Sequence, residues 1–198
     1  LTHLEFLKLA KKYGIKKRIV HAHCATADKF YRFIHPVNRL FVGKYATDFW
    51  ACGVEAANHF YQGKERKKAL VINNAIEVEQ FLYNEEVREK LREEYCIPED
   101  CLVVGQVSRL NEKQKNQSFC VKVFSELVKK DPNARLVFIG RGDTTFLTNL
   151  AKEYNVEDKV IFTGLKSNVG EMLNLLDVFF FPSNFEGLPI VLVEAQAN

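Results

Sequence analysis

The chain has 198 residues, 47% of them hydrophobic and 27% charged, ordinary proportions for a globular protein of one or two domains. Its 28 lysines and arginines stand against 25 acids, a formal charge of +3, and the two signs alternate, as in Lys64-Glu65-Arg66 and Arg88-Glu89-Lys90; this argues against a nucleic-acid surface. No apolar run approaches the roughly 20 residues that span a bilayer, and the five cysteines, Cys24, Cys52, Cys96, Cys101 and Cys120, are an odd set without a C-x-x-C pair, so a reducing, cytoplasmic setting is expected.

At the start, Leu1, Leu4, Leu7 and Ala10 fall near helical spacing, so an element opens the chain with no approach loop and a preceding segment is expected. Strands are predicted at Arg18 to Ala22, Phe49 to Cys52 and Ala69 to Ile72, with a helix over Val54 to Gln62. This region reads as the latter half of an α/β domain. Residues Asn73 to Asn84, opened by the turn-prone pair Asn73-Asn74, are the linker candidate.

From Leu102 onward the alternation is clearer. Strands are predicted at Leu102 to Val107, Arg135 to Ile139, Lys159 to Phe162 and Val178 to Phe181, and their near-continuous apolarity implies a sheet covered on both faces. Between them lie three apolar stripes of helical period: Phe119, Cys120, Val123, Phe124, Leu127 and Val128, with Asn116 as the N-cap; Phe146, Leu147, Leu150, Ala151 and Tyr154; and Val169, Met172, Leu173 and Leu176. Three crossovers predict a doubly wound parallel sheet. Asn198 follows an apolar helical pattern without a stop signal, so that end too reads as cut.

Chemistry concentrates where strands give way to helices. In Phe185-Glu186-Gly187-Leu188-Pro189 the chain leaves a strand, and Pro189 stands where a helix takes its first residue. Gly187 is expected to let a ligand approach the backbone. The helix N-terminus suits a diphosphate, with Glu186 before it and Glu194 in its second turn offering carboxylates to sugar hydroxyls. Singly, such glutamates are ordinary surface acids; the Gly, Pro and strand-to-helix context sets these apart.

In a second stretch, Ser108 and Arg109 leave the C-terminal end of a strand and Lys115 precedes the next helix. Arginine can grip phosphate oxygens bidentately and lysine adds a compact charge, so a nucleotide could depart without a metal. Lys113 and Lys115 also admit the plain reading of solvated loop lysines. Gly164 and Leu165 sit at another strand exit, where backbone amides could read a base. Gly140, Arg141 and Gly142 lack the lysine and spacing of a phosphate loop and read as a strand-end turn. His21 and His23 are expected on opposite faces unless one leaves the sheet edge; His23, before the polar Thr26 and Asp28, is the stronger candidate. His3, His35 and His59 carry no motif, and no metal-ligand spacing occurs.

Taken together, the E-x7-E stretch from Glu186 to Glu194 with DVFFFPSNFEGLP before it, VSRLNEKQKNQSF, ARLVFIGRGD, KVIFTGL, RIVHAHC and ALVINNAIEVEQF resemble glycosyltransferase family 4, over nearly the whole chain and particularly its capsule and exopolysaccharide members. The resemblance implies a GT-B fold of two Rossmann-like domains: 1–75 as the C-terminal half of the acceptor-side domain, 76–97 as linker and helix, and 98–198 as the donor-binding domain, with the family's N-terminal glycine-rich loop and the last donor-domain elements lying outside. It further implies retaining transfer from a nucleoside-diphosphate sugar, a UDP-sugar first of all, to a hydroxyl of a glycan or lipid-linked acceptor, with peripheral contact at the inner membrane face and no metal cofactor. By the same resemblance Arg109 and Lys115 hold the diphosphate and Ser108 belongs to the donor-binding set, Glu186 holds the donor sugar, Glu194 the ribose, the backbones of Gly187, Leu188 and Ile190 the phosphate and that of Leu165 the base, while His23 lies near the reacting sugar and is, with Glu186, a catalytic candidate. Lys115 stands one residue later than the family's commonest spacing from the arginine. A nucleotide-sugar epimerase of the same fold and a non-catalytic nucleotide-binding module are the alternatives.

Overall fold

A computed structural model describes residues 2–23 and 39–198, with side chains from Leu4 onward in those ranges. Leu1, Cys24, Thr26, Asp28 and His35, and the side chain of His3, lie outside it. Two compact units emerge, one of Leu1–Ala75 with Phe185–Pro189, the other of Ile76–Asn184 with Ile190–Asn198.

The first unit is a parallel sheet of β1 (Ile19–Ala22), β2 (Asp48–Ala51) and β3 (Leu70–Val71), in that order. In β1 the buried Val20 and Ala22 alternate with the exposed Ile19 and His21, the period-2 signature of a strand with one face on a core. Helix α1 (Thr2–Lys12) buries Leu4 and Leu7, one turn apart. A helical segment over 39–45 contributes Val42 to a core that includes Phe49, Ala56, Ala57 and Tyr61.

Tyr61 explains why the predicted helix over Val54 to Gln62 stops early, at Phe60 (α2, Val54–Phe60). Its backbone is extended, which turns the ring into the core, where its hydroxyl lies 2.7 Å from the carbonyls of both Val20 and Trp50. Burial pushes its pKa well up. Helix α3 (Gly63–Lys68) follows with no buried residue, and a helix lacking an apolar stripe gives periodicity nothing to find.

The second unit is a four-stranded parallel sheet with the order β6-β5-β4-β7 among β4 (Val103–Val107), β5 (Arg135–Ile139), β6 (Val160–Gly164) and β7 (Val178–Phe179). The expectation of two covered faces holds for β5: Leu136 and Phe138 join one buried cluster with Cys120, Phe124 and Leu147, while Val137 and Ile139 join another with Leu91, Val103 and Met172. Strand β7 ends two residues before the predicted Phe181, as Phe180 makes one more bond, to the Gly105 carbonyl at 2.8 Å, and Pro182 then lacks an N–H to continue.

The six helices of this unit are α4 (Glu85–Glu94), α5 (Glu112–Lys115), α6 (Gln117–Val128), α7 (Thr145–Glu153), α8 (Val169–Leu173) and α9 (Ile190–Ala197). In α6 the buried set is Gln117, Cys120, Val121, Phe124 and Ser125. Phe119 and Val123, expected in the stripe, are 45% and 40% exposed, because the stripe runs at i, i+3, i+4, i+7 and i+8. Nor does Asn116 cap by its side chain: it is left-handed at φ 55°, and its amide donates to the Pro182 carbonyl at 3.2 Å. Glu112 takes over, accepting from the Ser118 N–H at 2.9 Å, a carboxylate where the helix dipole favours one.

Candidate functional site

Because all four strands of the second unit run parallel, their C-terminal ends share one edge, the edge at which open α/β sheets hold ligands. Ser108 and Arg109 leave β4 there, Gly140 to Gly142 leave β5, Leu165 leaves β6 and Phe180 to Asn184 leave β7. The exits are stitched together by backbone bonds of 2.9 Å from Ser108 N–H to the Ile139 carbonyl, from Leu110 N–H to that of Arg141, and from Gly140 N–H to that of Gly164.

Two buried glutamines, unremarked in the sequence, hold the 108–115 loop at both ends. Gln117, 1% exposed, donates to Ser108 Oγ at 3.1 Å and to the Arg109 carbonyl at 3.0 Å. Gln106, equally buried, donates to the Lys115 carbonyl at 2.9 Å. Buried amides are costly unless bonded, so each acts as a fixed peg. The signal available was Gln106 itself, a polar residue interrupting the apolar run Val103–Val107.

The loop is also fastened to the exit of β7. Asn184 donates from its N–H to the Gln114 carbonyl at 2.8 Å and from its side chain to that of Lys113 at 3.0 Å. Lys115 Nζ sits 4.7 Å from the centre of the Phe181 ring, a cation–π distance. Ser108, Arg109, Lys115 and Leu165 are thus assembled along one sheet edge, with Leu165 71% exposed. Ile190 and Glu194 belong to the same unit, on α9. This helix opens at Ile190, so Pro189 lies one residue before it and not within it. Burial raises the pKa of the Glu194 carboxyl.

His23, Glu186, Gly187 and Leu188 belong to the first unit. There the absence of a side chain at Gly187 lets the protein's own backbone come close. A Cβ at this position would stand 2.3 Å from the His23 carbonyl oxygen and 3.4 Å from Cys52 Sγ. Leu188 packs against the core of this unit and its carbonyl accepts from the Asn74 side chain at 3.0 Å. The segment carrying Glu186 is therefore seated directly against His23.

The notion that His21 and His23 face opposite ways is overturned. Residues two apart along a strand project to the same side, and the two ring centroids are 4.1 Å apart. His23 lies one residue beyond β1, at its C-terminal end. Partial loss of hydration, and then the nearby His23, pull the pKa of the exposed His21 below its usual 6.5.

A model of the family described as glycosyl transferases group 1 matches residues 87–198. The chain is similar to the putative glycosyltransferase EpsF of Bacillus subtilis, 30% identical over 201 residues that cover 98% of this chain and 52% of EpsF. It is also similar to N-acetylgalactosamine-N,N'-diacetylbacillosaminyl-diphospho-undecaprenol 4-alpha-N-acetylgalactosaminyltransferase of Campylobacter jejuni, 28% identical over 199 residues, 96% of this chain and 51% of the other. The chain thus spans about half the length of the curated relatives it matches. Among solved structures, Anabaena HepE in complex with UDP-glucose superposes with a TM-score of 0.86 at 18% identity, over 98% of this chain and 54% of HepE. The fold is accordingly the Rossmann-like α/β type of GT-B proteins.

Proposed function

The chain belongs to the family of glycosyl transferases group 1, and on that premise we propose that it carries part of the machinery of a retaining glycosyltransferase. The sugar passes from a nucleoside-diphosphate donor, a UDP-sugar, to a hydroxyl of a glycan or lipid-linked acceptor in polysaccharide biosynthesis. The observation that carries the reading is the Ser108-to-Lys115 loop, pegged at both ends by Gln106 and Gln117 along the ligand-binding edge of the sheet. The UDP-glucose complex of HepE and the diphospho-undecaprenol in the name of the Campylobacter relative support the choice of donor and acceptor class.

In this reading Arg109 and Lys115 neutralise the diphosphate as the sugar–phosphate bond breaks, and no metal is required, because fixed cations stabilise developing charge without reorganisation. Glu186 orders the sugar hydroxyls and Glu194 those of the ribose. The backbones of Gly187, Leu188 and Ile190 meet phosphate, that of Leu165 meets the base, and His23 lies beside the reacting sugar. Among the described residues no helix is long and apolar enough to cross a membrane; the proposal places the protein in the cytoplasm with peripheral contact at the inner face.

The test is transfer from a UDP-sugar by the full-length protein carrying Arg109→Ala, Glu186→Ala or Glu194→Ala. Losing Arg109 is expected to lower kcat by about 100-fold or more, the scale set by removing one preorganised charge-stabilising donor. Full activity in all three variants would end the assignment, and an isomerised donor formed without acceptor would replace transfer by epimerisation.

A further inference from the structure

The turn Gly140-Arg141-Gly142 holds more than a change of direction. Both glycines have positive φ, +148° and +152°, and neither has room for a side chain: a Cβ on Gly140 would fall 1.9 Å from the Ser108 carbonyl oxygen, and one on Gly142 2.4 Å from Leu110 Cβ. This turn therefore lies flush against the loop that leaves β4, and the 2.9 Å bond from Leu110 N–H to the Arg141 carbonyl locks the two together.

Their side chains share an open depression of about 430 Å³ lined by Arg109, Leu110, Asn111, Arg141 and Gly142. Both arginines are exposed, and among the described residues neither makes an ion pair. Two guanidinium groups held on one rim without a carboxylate partner repel each other. An anion between them removes the repulsion, and planar forks suit phosphoryl oxygens. The strand order sets a sequence along the edge: Lys115 lies over Phe181 on the β7 side of Arg109, and Arg141 lies on the β5 side.

We propose that Arg141 is an anion-binding residue which, with Arg109, holds a phosphoryl group of the nucleoside diphosphate. The assignment deepens the donor-site reading and rests on it for the identity of the ligand. The glycines supply the close approach that brings the second cation within reach of the first.

The test uses Arg141→Gln and Arg141→Lys in the full chain, titrated by calorimetry with inorganic pyrophosphate, UDP and uridine. Arg141→Gln is expected to weaken pyrophosphate and UDP about tenfold and leave uridine unchanged, with Arg141→Lys intermediate, since lysine keeps the charge and loses the fork. The thermal midpoint of the unliganded protein should not move, because the side chain is exposed. Should wild type bind UDP and Arg141→Gln bind it equally well, the inference fails while the donor reading stands. An equal loss for uridine and UDP would also overturn it, as would a wild-type chain that binds no phosphate-bearing probe. If wild type binds pyrophosphate but no uridine compound, and Arg141→Gln weakens that binding, the anion site stands and the donor reading fails.

Discussion

At the scale of single residues, Gly187 and His21 make claims that stability measurements can check. Adding a Cβ at Gly187 drives it into the His23 carbonyl at 2.3 Å, and backbone cannot yield as a flexible side chain would. Gly187→Ala should cost about 1–3 kcal/mol, the usual price of overpacking, read as a lowered urea midpoint; a midpoint equal to wild type would mean the two segments are not in contact. Although His21 is exposed, partial loss of hydration, and then the nearby His23, hold its pKa below 6.5. The fold thus favours its neutral form, so its contribution is present above pH 6.5 and is lost as pH falls through the lowered value. Replacing His23 with Asn removes the like charge and should make that acid-side loss shallower. If denaturation midpoints of wild type and His23→Asn fall in parallel between about pH 7.5 and 5.5, His23 is not a cause.

Among the elements, the most consequential contact ties α4 to the sheet through one carboxylate. Asp177, just before β7, pairs with Arg92 at 2.9 Å and with Arg88, and accepts from the Val103 N–H at 2.7 Å at the start of β4. Arg92 is 5% exposed, and its other bonds go to the Pro98 and Glu99 carbonyls at 2.9 and 2.6 Å. Removing the acid leaves a buried cation uncompensated, so Asp177→Ala should destabilise by about 3–5 kcal/mol. A loss well under about 1 kcal/mol would class the pair with exposed ion pairs. None of this was legible in the sequence, where Arg88 and Arg92 sit in a run of alternating charge and residues 85–94 carry almost no apolar stripe. The strands were legible to within a residue or two, because β-branched and aromatic runs state their own period. The end of α2 at Phe60 was not, since it depends on where the Tyr61 ring finds a pocket.

For the molecule as a whole, family membership and the shared C-terminal strand edge of the second unit lead to a linkage prediction. A ligand that binds only the folded state raises stability by about 2.7 kcal/mol at 100 times its Kd, so UDP in that excess should raise the melting temperature clearly. Single-stranded oligonucleotides should leave it unchanged, in keeping with the interspersed charge. An unchanged melting temperature with UDP and every other nucleoside diphosphate would remove the donor site from this chain. The order of residues along the chain was enough to announce alternating strands and helices, a parallel sheet and the stretches that change from one to the other, because hydrophobic period and turn chemistry are local properties. Which exits lie side by side, that two glutamines peg the loop of Arg109, that Gly187 yields to His23 and that Arg141 shares a rim with Arg109 are matters of strand order and packing. They depend on contacts between residues far apart in sequence, for which no local pattern exists to be read.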